Sequence, residues 1–258
     1  MARLLALLVL VPPLAAQGIA YTPGNRHYRE VTVTDRVDAA EGTRHQNKTT
    51  IYRQVTVALT PKAKDTLAFS VTLDSMSLES TLAVKLPDVS KYKGTAVSGT
   101  MSPSGKVLQT RPPAGADAQA QSIAQSLSRF LLAFPPNAST GATWVDTISK
   151  TEQQSGGDIT TTSIVTSRIE PDTQLQGGKA FRISRATVLT LKGTAVQGNE
   201  PISVQGDGTG QGMYYISDRG VFLAATADQK MNMTIDIPSR GMKIPVMQTV
   251  RSTTELLP

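Results

Sequence analysis

The sequence predicts an α+β fold that is mostly β: a strongly curved antiparallel sheet or half-barrel, with one amphipathic helix packed on its concave face. Three observations predict it. Apolar and polar residues alternate strictly along much of the 258-residue chain, as half-buried strands require. One stretch, residues 117–134, instead carries its apolar side chains at spacings of three and four, which places them on one helical stripe. Four glycines, Gly206, Gly208, Gly210 and Gly212, fall on a single face of a late strand, where a bare surface permits sharp bending or the close approach of another element.

The chain opens with Arg3 followed by an apolar run from Leu4 to Leu14, and small residues Ala15, Ala16 and Gly18 come next. This pattern reads as an export signal over residues 1–16, cleaved near Ala16 or Gly18, and implies a periplasmic or extracellular destination. The run is shorter than the ~20 residues of a spanning helix. There is no cysteine, so neither a lipidated cysteine nor a disulfide scaffold is available, and the fold must stand on its own core. Residues 17–258 read as one β-rich domain. Two β halves, at about 20–110 and 143–258, joined through the helix are the alternative.

Each strand has its own signal. Val31, Val33 and Val37 share one side of the first. Ile51, Arg53, Val55, Val57 and Leu59 share a face of the second, and Leu67, Phe69, Val71 and Leu73 a face of the third, with Pro61–Asp65 as the hairpin connection. Residues 92–101 and 106–110 flank the turn sequence Ser102-Pro103-Ser104-Gly105. Asp117 favours a helix start, the stripe runs through Ile123, Ala124, Leu127, Phe130, Leu131 and Phe134, and Pro135-Pro136 ends it. Strands resume at 143–151, 159–169, 180–191, 202–216, 221–237 and 242–254, making about eleven in all. The helix stripe is the natural occupant of the glycine face. Residues 93–99 match residues 192–198 at six of seven positions. The echo marks either two related halves or coincidence in a chain rich in Thr, Ser, Gly and Ala, and its flanks do not extend it.

Chemistry finds little to hold. The net charge of +6 is scattered and aromatics are only 5%, which excludes the dense basic stripe of a nucleic-acid binder. The two histidines, His27 and His45, lack metal-ligand spacing. No G-x-S-x-G elbow occurs, and Ser90-Lys91-Tyr92-Lys93 enters a strand rather than a helix. No catalytic residue, cofactor or metal ligand is assigned. Methionines crowd the last strands, and Met231, Met233 and Ile235 make one apolar face. Flexible, polarisable thioethers suit either core filling or an adaptable ligand surface. With a single tryptophan, Trp144, the chain lacks the aromatic girdles of an integral outer-membrane barrel.

The stretch Phe130-Leu131-Leu132-Ala133-Phe134-Pro135-Pro136, then Gly141-Ala142-Thr143-Trp144, resembles the punctuation of certain exported bacterial β proteins of uncharacterised function. So do the glycine strand, the Ser217-Asp218-Arg219-Gly220 turn and Val221-Phe222-Leu223. More distantly, the chain is similar to LolA-like lipid and lipoprotein carriers, and that resemblance implies an open half-barrel around an apolar cavity. The expected function is an envelope protein binding a lipid or acyl chain without catalysis. Ile123, Leu127, Phe130, Leu131 and Phe134 of the helix, with Met231, Met233 and Ile235, would line the site. Possible partners are that apolar ligand or an envelope protein. The chain would not span a membrane once the signal is removed. A structural or protein-interaction module is the second reading, and a hydrolase built from distant residues the third.

Overall fold

The computed structural model describes residues 18–258 except 41, 83–85, 112, 114, 137, 155–156 and 198–199. The export segment 1–16 lies outside the described residues. In the first part of the chain, β1 (Gly24–Ala40), β2 (Thr43–Ala63) and β3 (Thr66–Ser80) are long, while β4 (Ala96–Met101) and β5 (Val107–Arg111) are short. A helix, α1 (Ala118–Leu127), follows. Then come β6 (Thr143–Gln154), β7 (Gly157–Leu175), β8 (Gly178–Gln197), β9 (Glu200–Ser217), β10 (Phe222–Ile237) and β11 (Met242–Leu256).

All eleven strands join one antiparallel sheet in the order β5-β4-β3-β2-β1-β11-β10-β9-β8-β7-β6, which is not closed into a barrel. The first and last strands therefore pair in the middle, from Tyr28 opposite Leu256 to Asp38 opposite Val246. Ion pairs cross this seam on the outer face. Arg29 meets Glu255, and Arg251 lies 3.5 Å from Asp35; Arg251 also lies 3.4 Å from Asp228 on the other side, on β10. Such exposed pairs add little each, so register rests mainly on the backbone ladder and the buried face.

The eight longest strands have 15 to 21 residues, or about 50–70 Å at ~3.3 Å per residue. The main core cluster occupies one end of them. There the inner face carries Val55, Val57 and Leu59 of β2, Leu67, Phe69, Val71 and Leu73 of β3, Ile169 of β7, Ile183 of β8 and Ile216 of β9, all buried. On β2 and β3 these are the strand faces that alternation picks out.

The face of β1 differs from the one its valines suggest. Val31, Val33 and Val37 look outward, because register aligns Tyr28 with Val55 and Glu30 with Arg53 on the inner side. Tyr28 is the largest fully buried side chain, and its burial outweighs that of three partly exposed valines.

The helix is shorter than its stripe. Asp117 caps it, with the carboxylate accepting from the Ala120 N–H at 2.7 Å, as an N-cap should. It ends at Leu127, passes through a 3₁₀ turn at Ser128–Phe130, and is extended at Leu131. Beyond that point Leu131, Leu132 and Phe134 enter the core singly. The Leu132 N–H donates to the Tyr21 hydroxyl and the Phe134 N–H to the Ser104 carbonyl. Those bonds replace the helical ladder, and the prolines at 135 and 136 could not have continued it.

The glycine strand bends the sheet but does not seat the helix, which packs on β3 and β4. A Cβ at Gly208 would lie 2.4 Å from the Lys230 carbonyl oxygen, and one at Gly206 2.5 Å from that of Asn232. Neighbouring backbone closes over β9 too tightly to admit a helix, and the Leu189 side chain fills what space remains. The sequence echo does not mark a structural repeat. Val97 faces inward, opposite Val71, whereas its counterpart Val196 faces outward on β8.

Phe130 packs against Tyr28 and Phe222 at ring-centroid distances of 5.7 and 6.4 Å. Phe130→Ala is expected to cost about 3–5 kcal/mol of stability, read as a lower urea midpoint with an unchanged slope.

Candidate functional site

The segment between β5 and β6 must travel from one sheet edge to the other, and it does so as an apolar strap across the inner face. Ile123, Ala124 and Leu127 are buried where α1 lies on β3 and β4. Phe130 joins Tyr28 of β1 and Phe222 of β10. Phe134 reaches Trp144 of β6 at 6.3 Å and Tyr21 at 5.9 Å. This end of the fold is solid: a void of about 10 Å³ remains among Tyr28, Leu59, Phe130, Leu131 and Phe222, room for one water at most.

A polar belt borders the strap. Glu30 is only 2% exposed. The Arg53 guanidinium lies 3.5 Å from its carboxylate and donates to Ser126 of the helix at 3.2 Å. Across the seam the belt continues through Thr254. One row outward, Ser167, Arg185, Gly212, Ala227 and Ser252 align through successive pairings of β7, β8, β9, β10 and β11.

Beyond the belt the inner face divides by composition. On β1 and β2 it is polar, with Thr34, Arg36, Asp38, Thr49 and Asn47. On β7, β8, β10 and β11 it is largely apolar, with Val165, Leu189, Leu191, Met231, Met233, Ile235, Val246 and Val250. A trough of about 220 Å³ opens at its inner end, lined by residues including Ile148, Val165, Arg185, Thr187, Tyr214 and Ala227. Farther out, a hollow of about 590 Å³ is bordered by Leu191, Met233 and Val246 at inner-face positions and by Asn232, Thr234 and Met247 at outer-face ones.

The eight residues expected to line a site thus form two groups. Ile123, Leu127, Phe130, Leu131 and Phe134 are buried in the closed core. Met231, Met233 and Ile235 are partly exposed on β10. Met231 lies nine residues along that strand from Phe222, about 30 Å away.

Two features escaped sequence reasoning: the Glu30–Arg53 pair and Arg185. Both depend on hairpin register, of β1 with β2 and of β7 with β8. A third is an outer-face relay. His27 Nδ1 lies 2.9 Å from the Thr56 hydroxyl, which donates to Asp74 at 2.7 Å. Since the hydroxyl proton goes to Asp74, the imidazole is the donor toward Thr56 and does not activate it as a base. Among the described residues, no group of three His, Cys, Asp or Glu side chains could hold a metal ion, and no helix is long and apolar enough to cross a membrane.

No family model and no curated protein matches the chain. Solved structures show slight likeness. Neisserial surface protein A (NspA) is 6% identical with a TM-score of 0.24, over 90% of this chain and 98% of that one. A putative outer membrane lipoprotein-sorting protein domain from Vibrio parahaemolyticus is 8% identical with a TM-score of 0.18, over 89% and 84%. A DUF1329 family protein from Desulfovibrio piger is 9% identical with a TM-score of 0.13, over 90% and 84%. Likeness of this degree fixes no activity.

Burial drives the phenols of Tyr21 and Tyr28 well above the ordinary tyrosine range, against the lowering effect of the Leu132 N–H on Tyr21 and of the Arg26 charge on Tyr28. The fold therefore favours the neutral phenols. That stability is fully present below a pH of about 10, where unfolded tyrosines begin to ionise, and is lost as the pH rises further. Of the six tyrosines, these two are expected to titrate only as the protein unfolds, seen as a late step in phenolate absorbance coincident with loss of the β-sheet circular dichroism signal.

Proposed function

We propose that this chain is an exported envelope protein whose open inner trough holds an apolar ligand, a lipid or its acyl chain, without catalysis. The observation that carries this reading is the apolar inner face of β7, β8, β10 and β11 that the strap leaves uncovered. Met231, Met233 and Ile235 are its ligand-facing residues, and the five buried residues of the strap close its inner end. Burying apolar surface contributes ~25 cal/mol per Å² before ordering costs. Thioethers at Met231 and Met233 can repack around chains of differing length.

Delipidated protein is expected to bind a fluorescent long-chain fatty acid. Met233→Asp should weaken that binding at least tenfold, about 1.4 kcal/mol, while Val145→Asp on the outer face leaves it unchanged. Absence of binding by the unaltered protein overturns the reading.

A second reading, a module that accepts a partner's strand, is favoured by β6. This twelve-residue strand forms a free sheet edge and carries Val145 at 60% and Ile148 at 51% exposure. Long exposed apolar edges are templates for strand addition. Cross-links to an envelope protein that map to β6 and disappear in Ile148→Lys would support it, and cross-links elsewhere would not.

A further inference from the structure

The trough has a chemically distinct inner end. Arg185 stands there on the inner face of β8, and its guanidinium lies 5.3 Å from the centroid of the Tyr214 ring. A ring face beneath a guanidinium holds it in place without neutralising it. Arg185 takes part in no ion pair among the described residues. Its direct cross-strand partner is Ser167 of β7, whose hydroxyl is buried at 1% exposure and has no hydrogen-bond partner. Paired side chains on one sheet face lie about 5 Å apart at Cβ. A buried hydroxyl without a partner is costly, and here it adjoins a cation whose charge is also unmatched. Apolar or small residues flank the pair: Val165 one row outward, Trp144 opposite Ser167, and Gly212 opposite Arg185. Arg185 is partly exposed and itself lines the trough. Asp146 shares the inner face one row outward on β6 and forms no bond to Arg185.

We propose that Arg185 and Ser167 form a head-group site at the inner end of the trough, for the carboxylate or phosphate of a single-chain amphiphile whose tail lies outward along β10. This rests on the apolar-trough reading and adds the ligand's polarity and direction. The planar fork of Arg185 presents two parallel N–H groups to an anionic oxygen pair, and the Ser167 hydroxyl donates to the same head. The tail then passes Val165 and Ala227 toward Met231 and Met233. Inward of the pair, Ile169 and Ile183 are fully buried in the closed core and stop it from travelling further.

Calorimetric titration of the delipidated full chain with dodecanoate, dodecyl phosphate and dodecanol, each below its micelle threshold, tests this. Both anions are expected to bind about tenfold or more tightly than dodecanol, since a hydrogen-bonded charge is lost in the alcohol. Arg185→Gln should abolish that preference while leaving dodecanol affinity unchanged, and Arg185→Lys should restore part of it. Ser167→Ala, which removes only the unpartnered hydroxyl, should lower anion affinity a few-fold with no loss of thermal stability. If one anion alone gains, the head chemistry is settled between carboxylate and phosphate. Equal affinity for all three probes, or a preference that survives Arg185→Gln, overturns the head-group site but leaves the trough standing. Failure of dodecanol and both anions to bind overturns the trough reading and this inference with it.

Discussion

Everything in this fold follows from the chain having to cross a face of its own sheet. Strands β1 to β5 build outward from the centre in one direction, and β6 to β11 return to the centre from the opposite edge. The connection between β5 and β6 therefore joins the two edges. A polar connection would leave strand faces such as Leu67–Leu73 exposed on one side. An apolar one buries them, and the crossing segment is apolar at each point where it meets the sheet: Ile123 and Leu127 near β3 and β4, Phe130 at the seam, Phe134 near β6. At ~25 cal/mol per Å², these large side chains are the strongest apolar contribution the inner face receives. Pairing of β1 with β11 places Tyr28 and Phe222 beside each other at 5.4 Å, directly beneath Phe130. The seam and the strap stabilise each other.

One strap cannot cover strands of this length. A ten-residue helix spans about 15 Å, against strands of about 50–70 Å. The far part of the sheet needs another means of shielding apolar groups, and it bends. Glycines at 206, 208, 210 and 212 remove the side chains that would hold β8 and β10 apart across β9. Leu189 then fits over Gly208 and becomes buried without any covering layer. Bending encloses part of the apolar face and leaves the rest as a trough, while the polar inner residues of β1 and β2 tolerate water.

The strands were legible because alternation and turn residues are local signals. Leu67, Phe69, Val71 and Leu73 needed only their own spacing to be placed inward. Where two local signals competed, the sequence misled. The valines of β1 look like a core face, yet Tyr28 takes the core, because the partner strand sets the register and Tyr28 buries more surface than any one valine. The stripe through Phe134 reads as helix throughout, yet backbone bonds from Leu132 to Tyr21 and from Phe134 to Ser104 end it early. Those partners lie 111 and 30 residues away along the chain and leave no local trace. The methionine face was legible for the same reason as the strands. Arg185 beside Ser167 was not, since eighteen residues and a hairpin separate them and only pairing brings them together.

The polar belt explains why core and trough remain separate. A continuous apolar face would let the strap slide outward or let a ligand wedge beneath it. Glu30 and Arg53 prevent both, because either movement would strand a buried charge, which is far costlier than exposing a methylene. Ser126 extends the same restraint to the helix by accepting from Arg53. Replacing the pair with apolar residues of equal volume is expected to leave stability unchanged or raise it, since buried ion pairs often contribute less than the packing they displace. What it would remove is the boundary. The chain forgoes some packing at Glu30 and Arg53 to hold the strap in place, while on β7 and β8 the same row is closed by Ile169 and Ile183, and that closed end gives the trough its defined depth.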